Sequence, residues 1–307
     1  MPNASTVEVE LLALLSSKLD ERGLAYEVAA ETTTTDLEAP ADVDGESVDV
    51  RLTDRTAVLV RDGVETSDAR TGTFEAAFTP SLSGIPVPIT RGYCVVDAVV
   101  GDAEVTVATT HLEAASADPR RRQAEELLEV LPDGRPVLLA GDVNSGPGGP
   151  TETYDLLTAS FEDAYAVRRP GADGYTCCQA TDLRNDRSSL SRRVDVVLSR
   201  GARPTAVERD GAKPEDRVAA EVEGETGKVW PSDHAGVAAT VAATATGEHP
   251  STATTTRRPT ETPTVLESAA TPTEDEAGSN VPGTGFGPLA ALVALGGAAL
   301  ARYRRRE

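Results

Sequence analysis

Residues 7–22 (VEVELLALLSSKLDER) place apolar side chains at Val7, Leu11, Leu14, Leu15 and Leu19. Steps of three and four residues return to one side of a helix, so the segment predicts an amphipathic helix. Ser5 or Thr6 can cap its start and Gly23 can end it. Tyr26 to Ala30 then reads as a strand. From 48 to 112 the period falls to two. VDVRL, TAVLV, YCVVDAVV and VTVATTHL are short β-branched runs separated by turn-forming residues. Asp118-Pro119 opens a second helix running to about Leu131, with proline in the first turn, where its missing N–H costs nothing. PVLLAGDVN (136–144) is an apolar strand that turns polar at its end, and 151–159 is a short helix. RVDVVLS (193–199) and AGVAATVAA (235–243) are the last strands. Strands dominate, without regular strand–helix alternation, which predicts a layered α+β sandwich rather than a doubly wound parallel sheet.

After residue 243 the pattern stops. Of the 37 residues from 244 to 280, 18 are Thr, Ser or Pro. Such a segment cannot bury a core, so an extended stalk or flexible linker is expected. Phe286 to Ala301 is a 16-residue run without charge, followed by Arg302, Arg304, Arg305 and Arg306. A helix there would reach about 24 Å, slightly short of a bilayer core, with the arginines held on the cytoplasmic side. The expected organisation is a catalytic-type domain over 1–243, a stalk over 244–280 and a membrane-attached tail over 281–307. The stalk, Pro282-Gly283-Thr284-Gly285-Phe286-Gly287, the apolar run and the arginines together resemble the archaeal C-terminal surface-sorting signal of the PGF-CTERM kind. That resemblance implies membrane attachment, an archaeosortase-type processing enzyme as partner, and an extracellular, surface-held protein.

Composition changes the picture in two ways. The chain carries 50 acidic and 29 basic side chains, a net charge of −21, and the excess lies within residues 1–243. Only three of the basic residues are Lys. An acidic surface almost free of Lys fits life in molar salt, where repulsion is screened within about 3 Å, or else avoidance of polyanions. The three cysteines, Cys94 and the adjacent Cys177 and Cys178, do not form a disulfide framework, and the adjacent pair is expected to be two unbonded, semi-buried side chains. The Arg120-Arg121-Arg122 run is expected to be a solvated helix face.

Four motifs carry chemistry: Thr110-His111-Leu112, Gly141-Asp142-Val143-Asn144, Arg193-Val194-Asp195-Val196-Val197 and Ser232-Asp233-His234. Each sits in or at the end of a predicted strand. Asp195, between two valines, needs a partner because an unpaired buried carboxylate is costly. The chain has three histidines; His249 lies in the stalk, and His111 and His234 both fall inside these motifs. Two histidines, three carboxylates and an amide supply most of what phosphoester hydrolysis needs: an activated water, countercharge and a proton route. Hard oxygen donors suit Mg²⁺ or Mn²⁺, and no zinc-ligand spacing is present.

The order and wording of these motifs resemble the endonuclease/exonuclease/phosphatase superfamily over about residues 7–241. GYTCCQATDLRNDRSSLSRRVDVVL (174–198), ITRGY (89–93), TTHLEA (109–114) and GDVNSGPGG (141–149) resemble a secreted bacterial and archaeal branch of it. The resemblance implies a four-layer α/β/β/α sandwich of the deoxyribonuclease I type and a metal-dependent phosphoesterase acting on phosphodiesters. It implies that His234 activates water and Asp195 orients its ring. Asp142 and Asn144 would hold phosphate and metal, Asp233 would add to metal binding, and His111 would bond a phosphate oxygen. Family models differ over which histidine donates and which accepts. Nucleic acid is the favoured substrate and a phospholipid head group or phosphorylated sugar the alternative, with a monomer expected.

Two family features have no match here: an Asn ending a first strand and a metal-binding Glu ending a second. The absence of an export signal in MPNASTVEVE points the same way, to a chain that starts late. The expectation is therefore a domain lacking its first strands, with exposed edges and apolar surface, and with little or no activity as it stands. The alternative is a non-catalytic, surface-anchored binding module built on the same fold.

Overall fold

The computed structural model describes residues 4–243, apart from 44, 83 and 223. The expected stalk, membrane helix and sorting motif lie outside the described residues. No helix among the described residues is long and apolar enough to cross a membrane.

In chain order the elements are α1 (Leu11–Asp20), β1 (Tyr26–Val43), β2 (Glu46–Arg61), β3 (Glu65–Thr73), β4 (Ser81–Leu82), β5 (Ile85–Pro86), β6 (Gly92–Val100), β7 (Ala103–His111), α2 (Ala117–Val130), β8 (Val137–Asp142), α3 (Glu152–Thr158), β9 (Glu162–Asp163), α4 (Ala164–Arg168), β10 (Asp195–Arg200), β11 (Ala202–Asp210), β12 (Val218–Val222), β13 (Glu225–Val229) and β14 (Gly236–Ala243). Six strands form the central sheet in the order β3-β6-β7-β8-β10-β9. All its pairs are antiparallel except β7 with β8, which α2 connects as a crossover.

The alternation within β6 explains the layering. Val95 points into a core built with Ala124 and Leu127 of α2, Leu157 of α3, Val137 and Leu139 of β8, and Val196 and Leu198 of β10. Cys94 and Val96, one residue either side, point the other way, onto Ala30 and Val58 of the β1–β2 hairpin. Helices thus cover one face of the sheet. The β1–β2 and β11–β14 ribbons lie over the other, and α1 lies on β1. This is the expected α+β sandwich, with one difference. Among the described residues the second β-layer is two separate two-stranded ribbons rather than one sheet, since no ladder joins β1–β2 to β11–β14.

Several local expectations change. The strand expected over 26–30 continues to Val43, and VDVRL and TAVLV merge into the single strand β2. The β-branched Thr32–Thr35 run continues the ladder, with register shifts between Val28 and Ala30 and between Thr33 and Thr35, where the strand bends and its twist increases. The first helix is shorter. Glu10, not Ser5 or Thr6, is its N-cap; its carboxylate accepts from the Ala13 N–H and is pinned by Arg55. No residue of α1 is buried, and its apolar stripe, Leu11, Leu14 and Leu15, faces solvent. The periodicity identified a helix with an apolar side, and nothing among the described residues covers that side.

Arg120 is not on a solvated face. It is 4% exposed, and its Nη1 donates to the carbonyls of Glu113 and Ala114, closing the loop after β7. Arg121 and Arg122 match the expectation, exposed and paired along the helix with Glu125 and Asp118. Cys177 and Cys178 also depart from expectation, since their sulfurs are bonded to each other. The peptide between them is cis, which turns both side chains to one side. Cys94 is free and buried, its thiol donating to the Thr56 carbonyl.

Candidate active site

Strand register builds the site. His111 ends β7, Asp142 ends β8 and Asp195 begins β10. His111 is level with Asp142 in the parallel pair, and Asp142 is level with Asp195 in the antiparallel pair. Residues level across a ladder share a face, so the three side chains stand in a row. Their face is the one opposite the helices, because Leu139 and Val196, of opposite parity, belong to the helix-side core.

The close approach of β7 and β8 requires Gly141. It has φ +152°, and a Cβ there would lie 2.0 Å from the Thr110 carbonyl oxygen. Beyond the strand, Asn144 adopts φ 48°, and its N–H donates to Asp142 Oδ1 at 2.8 Å. This Asx turn fixes the carboxylate. The Asn144 Nδ2 donates to the Leu112 carbonyl at 2.9 Å, which ties the β8 loop to the β7 loop. At the start of β10, Thr176 Oγ1 accepts from the N–H groups of both Val194 and Asp195, each at 3.1 Å. Arg193 anchors the same turn through a buried 2.9 Å ion pair with Asp163, between the rings of Tyr154 and Tyr165.

His234 comes from the loop before β14. A bridge to Cys177 and the Ala235 N–H to Thr176 carbonyl bond dock that loop beside β10. The His234 Nδ1 lies 2.8 Å from Asp195 Oδ2, the partner that Asp195 required. Asp142 Oδ2 is 3.9 Å from the same Nδ1 and 3.7 Å from the His111 Nε2. The far side of the His234 ring, Nε2, faces Cys178 Sγ at 3.8 Å, and Arg192 Nη2 contacts both bonded sulfurs.

Four of the sequence-derived residues, His111, Asp142, Asp195 and His234, are therefore brought together, with Asn144 bonded to Asp142. Asp233 is exposed and is not in the group of ligand atoms within 4.8 Å, although its charge reaches His234, and its carbonyl is taken by the Gln179 N–H. Arg91 was given no role by the sequence reading, although it lies in the ITRGY motif. Its Nη1 is 3.4 Å from His111 Nδ1 and 2.8 Å from Asp54 Oδ2.

The electrostatics push the two histidines in opposite directions. Burial and then the Arg91 cation hold the His111 imidazolium below its ordinary range. Burial also disfavours charge on His234, but the Asp195 hydrogen bond, the Asp195 charge and the nearby Asp142 and Asp233 outweigh it and raise the group to about 8. Burial pushes the Asp142 carboxyl up, His111 opposes this, and the Asp195 charge adds to it. A divalent cation fits the residues present. Asp142 and Asp195 each offer a hard carboxylate oxygen, within 4.8 Å of one another and of a His234 nitrogen, and two such oxygens side by side call for countercharge.

A family model described as the Endonuclease/Exonuclease/phosphatase family matches residues 29–234. No curated protein matches the chain. Among solved structures, an endonuclease/exonuclease/phosphatase family protein from Bacteroides thetaiotaomicron is 15% identical, with a TM-score of 0.50 over 76% of this chain and 80% of that one. The endonuclease/exonuclease/phosphatase from Beutenbergia cavernae is 17% identical, with a TM-score of 0.51 over 78% of this chain and 60% of that one. A family protein from Leptotrichia buccalis is 13% identical, with a TM-score of 0.50 over 78% of this chain and 83% of that one. At these identities the likeness is one of fold.

Proposed function

The chain belongs to the endonuclease/exonuclease/phosphatase family, a family of phosphoric ester hydrolases that generally use divalent metal ions, and from that premise we propose that it is a metal-dependent phosphodiesterase of the cell surface. One observation carries the reading: His234 is bonded to Asp195 at 2.8 Å, within 4 Å of an Asp142 that also neighbours His111. A water-activating dyad therefore stands beside a carboxylate that can seat a cation and a second imidazole that can meet a phosphate oxygen.

In this reading neutral His234 takes a proton from water, whose oxygen attacks phosphorus as the ester oxygen leaves. Asp195 holds the ring and stabilises the imidazolium that forms. Asp142, with the Asn144 amide oxygen, would hold Mg²⁺ or Mn²⁺, which supplies countercharge to the phosphate when bound. Asp233, exposed beside His234, would act on the cation through water rather than directly. Nucleic acid is the proposed substrate class, with a phospholipid head group as the alternative, and the protein is a monomer. Attachment through 281–307, with archaeosortase-type processing, would hold the enzyme outside the cell.

On the sequence resemblance, the family's metal-binding Glu has no recognised counterpart in this chain. Weak cation affinity, and low activity of this chain by itself, follow from a cluster with two carboxylates. The same count favours the second reading, a binding module without catalysis. Hydrolysis of bis(p-nitrophenyl) phosphate with Mg²⁺ or Mn²⁺, against EDTA and His234→Ala, separates them. Metal-dependent turnover lost in His234→Ala supports the enzyme. No turnover, with no specific Mg²⁺ site by calorimetry, refutes it in favour of the module.

A further inference from the structure

Arg91 lies just before β6, outside the row of site residues, yet it is 12% exposed and faces His111. Its guanidinium is held from two sides. Nη1 donates to Asp54 Oδ2 of β2 at 2.8 Å, and Nε lies 3.7 Å from Glu113 Oε2, just after β7. Glu113 is 1% exposed, and neither that Oε2 nor the Arg91 Nε has another hydrogen-bond partner among the described residues. The Glu113 Oε1 is taken by the Ala115 N–H. A carboxylate buried with one oxygen otherwise unanswered is tolerated only beside a compensating cation. Glu113 and Asp54 therefore confine the guanidinium where it stands.

We infer that Arg91 is a positioning residue that locks His111 in the tautomer carrying its proton on Nε2. Donor and acceptor identity alone fixes the proton's place. A guanidinium has donors and no acceptor, so the imidazole nitrogen facing it at 3.4 Å must present a lone pair. That nitrogen is Nδ1, which leaves the proton on Nε2. The other neighbour agrees, because Nε2 lies 3.7 Å from Asp142 Oδ2, and an ionised carboxylate only accepts. His234 has the reverse arrangement. Its Nδ1 faces the Asp195 carboxylate at 2.8 Å, so Nδ1 carries the proton and Nε2 presents the lone pair.

The two imidazoles thus enter the site with opposite polarity, fixed by what stands behind each ring. The guanidinium at His111 Nδ1 makes its Nε2 a donor toward Asp142, and the carboxylate at His234 Nδ1 leaves the His234 lone pair on Nε2, the side that faces Cys178. On the catalytic reading above, on which this assignment of roles rests, His111 is the group that donates to the phosphate and His234 the one that receives the proton from water. The tautomers themselves do not depend on turnover.

The test is long-range ¹H–¹⁵N correlation spectroscopy of the histidine rings in metal-free, substrate-free protein. With three histidines in the chain, His111→Gln and His234→Gln assign the signals. The expected result for neutral His111 is one tautomer, with a protonated Nε2 and a lone-pair Nδ1, and for neutral His234 the opposite one. Arg91→Met should turn the His111 pattern into a mixture, while Arg91→Lys, which keeps a donor, should largely restore it. A protonated Nδ1 on His111 in the unsubstituted protein would overturn the inference without any variant having to fold. An unchanged single tautomer in folded Arg91→Met would also overturn it. A catalytically inert chain would leave the spectra as expected, so failure of the phosphodiesterase reading is distinguishable.

Discussion

The His234–Asp195 pair makes a quantitative prediction in the absence of metal. Asp195→Asn keeps the shape and removes the charge. His234 titrates at about 8 in the folded protein against an ordinary value of 6.5, and that gap corresponds to about 2 kcal/mol favouring the charged ring in the native state. A raised folded value stabilises the protein fully below the unfolded value, and the contribution is lost as pH rises through the folded one. The pair should therefore add about 2 kcal/mol of stability at pH 5.5 and almost none at pH 9.5. In Asp195→Asn the burial that already opposes charge is left less opposed, so His234 should titrate below its present value by more than one unit. The assay is urea unfolding at the two pH values in EDTA, with a histidine titration by NMR. If Asp195→Asn and the unsubstituted protein show the same pH dependence of stability, or if His234 still titrates near 8, Asp195 is not the partner that sets its charge.

Two further substitutions test how the site is held. Gly141→Ala places a methyl group 2.0 Å from the Thr110 carbonyl oxygen, so β7 and β8 must separate; we expect a loss of about 2–4 kcal/mol by denaturant unfolding, and a neutral result would mean that the strands approach less closely. Arg120→Ala removes the buried donor to two loop carbonyls, of Glu113 and Ala114, and should cost about 1–3 kcal/mol, whereas Arg121→Ala, which loses only an exposed pair, should cost less than about 0.5 kcal/mol; equal costs for the two would refute the buried role.

The sequence made the site residues legible because each breaks a strand's apolar period at its end. His111, Asp142 and Asp195 are polar side chains where β7, β8 and β10 meet solvent, and the rarity of histidine singled out His234. Their register was not legible, since nothing local says that β7 and β8 pair in parallel while β8 and β10 do not. Arg91 and Glu113 escaped for a different reason. A charged residue beside a turn reads as surface, and only the fold reveals that the two are buried against each other. Arg120 was misread as solvated on the same ground, because three consecutive arginines on a helix face in different directions and one of them turns inward. The apolar stripe of α1 shows the opposite limit, in that periodicity identifies an apolar face without identifying what covers it. The bonded pair at Cys177 and Cys178 depends on a backbone conformation that composition does not encode.

The separation of the second β-layer into two ribbons bears on how the molecule would fail. Three of the four central side chains belong to the six-stranded sheet, but His234 enters on the loop leading into the β11–β14 ribbon, which shares no ladder with that sheet among the described residues. Its attachment is by loop and side-chain contacts: the bridge at Cys177, the Ala235 N–H to Thr176 and Gln179 N–H to Asp233 carbonyl bonds, the Arg209 bond to the Tyr175 carbonyl and the Asp195 contact. A unit held by loop and side-chain contacts rather than by a ladder can open at a lower free energy than the sheet it rests on. Integrity of the site and integrity of the fold are then separate quantities. On warming, the His234 imidazole would leave its place while the core around Leu127 and Leu139 is still intact, so a melting curve of the sheet would overstate the temperature to which the site survives.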